Sequence, residues 1–353
     1  MGAGPDPARV LITTDAVGGV WRYSVDLANE LIARGVDVLL ACLGPAPSEK
    51  QKSSLGNLLP DRLISREFAL EWMQTPWLDV ERSKDWLLSI AKEFVPDVVH
   101  LNGYALASAN WPVPVITVAH SCVRSWWRAV HGSAPGPEWG EYEQRVLDGL
   151  RATDEIVAPS RFMADAIADE YGIERNEIRV IHNFSLKRPV KREKEPFVLA
   201  AGRMWDEAKN LRMLEAVAPR LQWPLVLAGG QLSRDELDER LASAAIFAHP
   251  ALYEPFGLAV LEAAHAGCAL VLADIPSLRE LWEGAVMFVD PRRQDLWLLE
   301  LNRLINDADE RERLGAVAAA CAERYNAKES VHPYLDVYRS VVKNAGGKAG
   351  AAA

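Results

Sequence analysis

Glu254-Pro-Phe-Gly-Leu-Ala-Val-Leu-Glu262 lies between two apolar runs. Ala244 to His249 before it reads as a strand, and Leu258 to Ala266 reads as a helix. A Pro255-Phe256-Gly257 turn separates the first carboxylate from the helix that carries the second. Gly257 and Leu258 open that helix. Its free backbone N–H groups and the positive end of its dipole therefore face a cleft, which makes an anion site. Glu254 sits on the loop at the lip, and Glu262 further along the helix. Phosphate on the N–H groups and sugar hydroxyls on the carboxylates would suit a sugar diphosphate.

Outward from this stretch, strand and helix alternate. Phe197 to Arg203 reads as a strand, and Lys209 and Asn210 begin a helix through Ala218. Pro224 to Gly230 is the next strand. Gly202-Arg203 is followed, after five residues, by Lys209. An Arg fork and a Lys point charge at a strand end stabilise the charge that grows on a departing diphosphate. A Lys at a helix start opposes the dipole, which favours a functional reason for it. After Gly230 the chain passes at once to a helix from Ser233 to Ser243, with Ser233 as N-cap and Glu236 completing a capping box. Strands at Gly267 to Ala273 and Ala285 to Val289, and helices at Gln294 to Asn306, Ala308 to Tyr325 and Val331 to Lys343, complete this half.

The first half repeats the pattern. Arg9 to Asp15 is a strand, Gly18-Gly19 a turn, Trp21 to Arg34 a helix and Val36 to Cys42 a strand. Such a unit means a parallel sheet. Gly18 and Gly19 let a ligand approach the backbone without a Cβ in the way. Asp85 to Phe94 reads as a helix. The strands Pro96 to Asn102 and Val113 to His120 end in Asn102 and His120, where open α/β sheets bind ligands. Arg124 and Arg128 share a helix face, and Trp126 and Trp127 offer a stacking platform. Lys187 to Pro196, charged and punctuated by prolines, reads as a linker.

Tyr253-Glu-Pro-Phe-Gly-Leu258 after His249-Pro250 resembles the signature of retaining glycosyltransferases of family 4, whose motif is Glu, seven residues, Glu. Gly202-Arg203 with Lys209 resembles the family's phosphate-binding pair, and His120 stands where the family carries a His. The resemblance runs from Val10 to Val341. It implies the GT-B fold: an α/β protein of two Rossmann-like domains with parallel sheets facing across a cleft. It assigns 1–187 to an acceptor-side domain and 188–330 to a donor-side domain. It assigns 331–345 to a helix crossing back to the first domain, and 346–353 to a flexible tail.

The activity implied is metal-independent transfer of a hexosyl group from a nucleotide sugar to a sugar, glycan or glycolipid, with retention and no cofactor. The implied catalytic set is His120, Arg203, Lys209 and Glu254. Gly18, Gly19, Phe256, Gly257, Leu258 and Glu262 join Arg203, Lys209 and Glu254 on the donor. Glu262 meets the ribose, Glu254 the sugar hydroxyls. Asn102, Arg124, Trp126 and Trp127 face the acceptor. The family usually has a further loop or helix and a strand after the position of Gly230, and that unit is missing here. An epimerase or phosphorylase of the same fold, or a non-catalytic nucleotide-sugar-binding protein, are the alternatives.

Composition agrees with a two-domain enzyme. The 353 residues suffice for two cores. A net charge of -10 argues against a nucleic-acid partner. Cys42, Cys122, Cys268 and Cys321 are scattered, without a C-x-x-C, and free buried thiols are the default for Cys42 and Cys268. The start shows no signal peptide and no apolar run is long enough to span a membrane, so a cytoplasmic location is expected. Trp72, Trp77 and Trp86 are expected to pack on the sheet. Peripheral membrane contact is the weaker reading for them. Asp307-Ala-Asp309 matches a D-x-D metal pattern but lies at a helix junction, and no metal site is expected.

Overall fold

The structure is a computed structural model that describes residues 7–188, 192–229 and 234–351. The expected turn at Gly230 and cap at Ser233 lie outside the described residues. Two parallel sheets organise the chain. The first holds β1 (Arg9–Asp15), β2 (Asp37–Leu43), β3 (Leu63–Ser65), β4 (Val98–Leu101), β5 (Val115–Val118), β6 (Glu155–Ala158) and β7 (Ile178–Val180), in the order β3-β2-β1-β4-β5-β6-β7. The second holds β8 (Glu195–Ala201), β9 (Leu225–Ala228), β10 (Ala244–His249), β11 (Ala269–Ala273) and β12 (Met287–Val289), in the order β12-β11-β10-β8-β9. β8 begins inside the stretch read as linker.

Both faces of each sheet are covered, so the strands read as unbroken apolar runs. The two-residue period of β1 sends Val10 and Ile12 to one face and Leu11 to the other. Val10 and Ile12 meet the Gly19–Ile32 helix and the last helix, Ala327–Ala351, through Val331, Tyr334 and Tyr338. Leu11 meets the Trp77–Phe94 helix through Val80 and Leu87. In the second sheet Phe247, Leu270 and Leu272 pack with Trp282 and Trp297. Cys42, Cys122 and Cys268 are buried free thiols.

The order of strands reverses direction between β1 and β4 in the first sheet, and between β8 and β10 in the second. Crevices form at such points, beyond the carboxyl ends of the strands. Asp15 ends β1, and Asn102 and His120 follow β4 and β5. Arg203 and His249 lie at the ends of β8 and β10.

The two halves touch beside this cleft. Ser160 Oγ accepts from Met163 N–H as the N-cap of the Arg161–Tyr171 helix and donates to Pro255 O at 2.7 Å. Glu280, from the second half, accepts the N–H groups of Arg161 and Phe162 at 2.8 Å each. Ser125 Oγ and Tyr253 Oη lie 2.8 Å apart.

Three expectations need correction. Lys209 does not start a helix: Glu207–Lys209 is a 3-10 turn, and the helix is Leu211–Val217. Asn210 between them is left-handed at φ +52°, held by Nδ2 donating to Pro250 O and Pro291 O. The helix expected from Asp85 starts at Trp77, after Pro76. The last helix, expected over Val331 to Lys343, is Ala327–Ala351. No described helix is long and apolar enough to cross a membrane.

Candidate functional site

A hollow of about 570 Å³ lies between the sheets. Arg203, Lys209, Glu254, Phe256, Gly257 and Leu258 line it from the second half, and Gly18, Gly19 and His120 from the first. Of the residues expected on the donor, all but Glu262 border it. A second hollow of about 460 Å³ shares Gly18, Gly19, His120 and Arg203 and extends along the first half past Asn102, Trp126 and Trp127.

Glu254 is the charged centre of the first hollow. Its Oε2 accepts from Lys209 Nζ at 2.7 Å and lies 3.0 Å from His249 Nε2. Burial alone would raise its pKa. Lys209 and His249 outweigh that and hold the carboxyl well below the usual range. The pair is enclosed, with the two side chains 17 % and 13 % exposed. Gly257 is left-handed at φ +90°, with Glu254 Cγ 3.3 Å from where a Cβ would sit. Glycine is required there to turn the loop into the helix.

Arg203 Nη2 donates to Asp206 Oδ2 at 2.6 Å, whereas the buried Nε has no partner. A buried unpaired donor is costly, and an anion in the hollow would satisfy it. Asp206 also accepts from Trp126 Nε1 at 3.3 Å, which joins the halves. The Gly18-Gly19 turn admits a protein group. A Cβ on Gly18 would fall 2.5 Å from Arg203 Nη1. Gly18→Ala should therefore push the guanidinium aside and weaken binding of a nucleoside diphosphate about tenfold, while costing less than about 1 kcal/mol of stability. Calorimetric titration checks this; an unchanged affinity would separate Gly18 from the anion site.

His120 is oriented from below. Asn102 Nδ2 donates to Thr13 O at 2.6 Å and to Ser24 Oγ at 3.0 Å, so Asn102 Oδ1 is left to accept. That oxygen is 2.8 Å from His120 Nε2. The network thus assigns the proton to Nε2 and leaves Nδ1 as an acceptor. Withdrawal from water pushes the His120 pKa down to about 3, so the ring is neutral at physiological pH. Tyr23 packs edge-on to it, ring centroids 4.6 Å apart. The Tyr23 hydroxyl donates to Tyr334 of the last helix at 2.6 Å.

Two expected residues fall elsewhere. Arg124 lines neither hollow; it is bound by Glu143 at 2.7 Å and Glu170 at 2.8 Å. Arg128 joins it on Glu170, because their shared face turns toward the neighbouring helices. Glu262 is 2 % exposed and also lines neither hollow. It lies one turn into the helix among buried Val260, Leu261 and Ala263, and its charge is felt by Asp26 and His265. Asp307 caps the Ala308–Ala322 helix by accepting from Glu310 N–H, which accounts for the D-x-D match. Sequence reasoning missed Asp206, His249 and Trp205. Asp206 and Trp205 lie in the spacer between Arg203 and Lys209, where a carboxylate three residues from an Arg was the available signal.

Two facing parallel α/β units with a polar cleft between their strand ends define the GT-B class of glycosyltransferase fold. Solved structures of that class share it. Sucrose-phosphate synthase from Thermosynechococcus elongatus superposes with a TM-score of 0.77 at 16 % identity, covering 95 % of this chain and 99 % of that one. Anabaena HepE in complex with UDP and glucose gives 0.73 at 15 % identity, covering 94 % and 100 %. Residues 17–184 match Glycosyltransferase Family 4, and residues 226–320 match Glycosyl transferases group 1. An uncharacterized glycosyltransferase of Methanocaldococcus jannaschii is 22 % identical, over 90 % of this chain and 94 % of its own. The chain belongs to the group 1 family of glycosyltransferases.

Proposed function

We propose that the chain is a retaining enzyme that transfers a hexosyl group from a nucleoside-diphosphate sugar to a hydroxyl of a sugar, glycan or glycolipid, without a metal. The observation that carries this reading is the meeting of the two hollows at Gly18, His120 and Arg203. A donor in one and an acceptor in the other would bring their reacting atoms together there. As the glycosidic bond breaks, negative charge grows on the diphosphate. Arg203 and Lys209 answer it, with the N–H groups after Gly257. Glu254 fixes the Lys209 ammonium. The bare Nδ1 of His120 accepts a hydrogen bond from a sugar hydroxyl. That a fold neighbour binds UDP and glucose supports a nucleotide sugar as donor.

The test is titration with UDP-, GDP- and ADP-sugars, followed by the rate of nucleoside diphosphate release. One donor should bind, and release should quicken with a sugar acceptor and survive EDTA. Arg203→Ala should weaken donor binding by roughly 10–100-fold, the worth of charged hydrogen bonds. Equal affinity in the variant, or activity lost to EDTA and restored by Mg²⁺, would overturn the assignment.

A further inference from the structure

The second hollow has an unusual wall. Five of the chain's 12 tryptophans line it: Trp72, Trp126, Trp127, Trp139 and Trp205. Three of these rings and that of Tyr142 form a connected surface. Centroids of Trp126 and Trp127 are 5.9 Å apart, those of Trp127 and Trp139 6.2 Å, and those of Trp139 and Tyr142 5.7 Å. Their polar handles are partly engaged within the protein. Trp126 Nε1 is given to Asp206, and Tyr142 Oη accepts from Val123 N–H. Tyr104 Oη, on the same wall, donates to Ser121 O. What these groups offer a ligand is ring surface.

The charge is equally one-sided. Among the described lining residues Arg203 is the sole Lys or Arg; Asp206 holds its Nη2, and its open Nε is the group assigned above to the donor diphosphate. Asp15, Glu71, Asp206 and Glu207 supply four carboxylates. Arg124 and Arg128, close in sequence, are drawn off to Glu170. An anionic acceptor would find carboxylates and no free fork. An apolar ring would find aromatic faces at stacking distance.

Granting the transfer reaction proposed above, we infer that the acceptor is an uncharged hydroxyl compound with a ring whose apolar face stacks on these tryptophans, and that phosphorylated acceptors are rejected. The ring is either an aryl group or the apolar face of a pyranose.

Calorimetric titration with phenyl β-D-glucoside, methyl β-D-glucoside and glucose 6-phosphate tests this without a donor. The phenyl glucoside should bind at least tenfold more tightly than glucose 6-phosphate. A methyl glucoside as tight as the phenyl one assigns the stacking to the sugar, and a weaker one assigns it to the aryl group; both support the inference. Trp127→Ala and the more exposed Trp72→Ala should each weaken the phenyl glucoside about tenfold with circular dichroism unchanged. Glucose 6-phosphate binding as tightly as the phenyl glucoside would overturn the inference. So would unchanged affinity in both folded variants. A separate titration showing that no nucleotide sugar binds would instead remove the donor assignment, leaving the acceptor result to stand by itself.

Discussion

Replacing Lys209 by alanine should cut nucleoside diphosphate release by roughly 10²–10³-fold, the worth of one preorganised charge at a developing anion. It should also cost the fold about 3 kcal/mol, because removing one partner strands an enclosed charge. Glu254 would keep only His249, and its carboxyl pKa would rise from its depressed value. The pH dependence follows from that direction. A carboxyl held below its ordinary value of 4.5 contributes stability that is complete above that value and is lost as pH falls through the lower, folded-state value. In the variant that contribution should be smaller, and its loss should be complete at higher pH. Adding Glu254→Gln should restore part of the stability and none of the turnover. Urea unfolding and single-turnover release measure the two effects. A variant that retains a tenth of its turnover would show that the ammonium does not serve the leaving group.

Gly149→Ala should be the most damaging small substitution in the first half. A Cβ there would fall 2.0 Å from the carbonyl oxygen of Tyr104 and 2.6 Å from its carbon. Both are backbone atoms that cannot swing away. The Gly140–Ala152 helix lies directly on the Ala105–Ser108 turn, and an added methyl must pry the two apart. The expected cost is about 3 kcal/mol, at the upper end for overpacking, or a fall in Tm of roughly 6–12 °C. Gly132→Ala is the control. Its φ of +73° strains an alanine, but nothing lies within 4 Å, so it should cost about 1 kcal/mol. Equal Tm values for the two variants would refute the clash.

The fold was legible because both sheets are covered on two faces, and their strands stand out as apolar runs closed by Gly, Asn, His or Arg. Much of the second half's wall of the first hollow was legible for a related reason. Arg203, Lys209, Glu254 and Gly257 cluster within two short stretches at strand ends, where local order fixes direction. The acceptor side depends on which way a helix is rotated. Arg124 and Trp127 are three residues apart on one helix, yet Glu170 turns the first outward while Trp139 holds the second inward. Both partners are distant in sequence. The orientation of Glu262 was illegible for the same reason: its place one turn into a helix says how far along it lies, and only packing says which side it faces. Trp72 and Trp205 gave no periodic signal, being exposed residues whose meaning comes from the cavity they border.

Glu280 has a wider significance. The first two amides of the Arg161–Tyr171 helix are satisfied by a carboxylate of the opposite half, and Ser160 divides its hydroxyl between its own helix and Pro255. Parting of the halves would therefore strip Glu280 from the first two amides of the helix, while Ser160 keeps its own bond to Met163. Each excursion carries the energetic signature of a lost cap, about 1 kcal/mol, and its start is chemical rather than mechanical. The breathing of the cleft and the fraying of one helix end become a single event, and the Arg161 and Phe162 amides become its clock, exchanging with solvent whenever the halves separate.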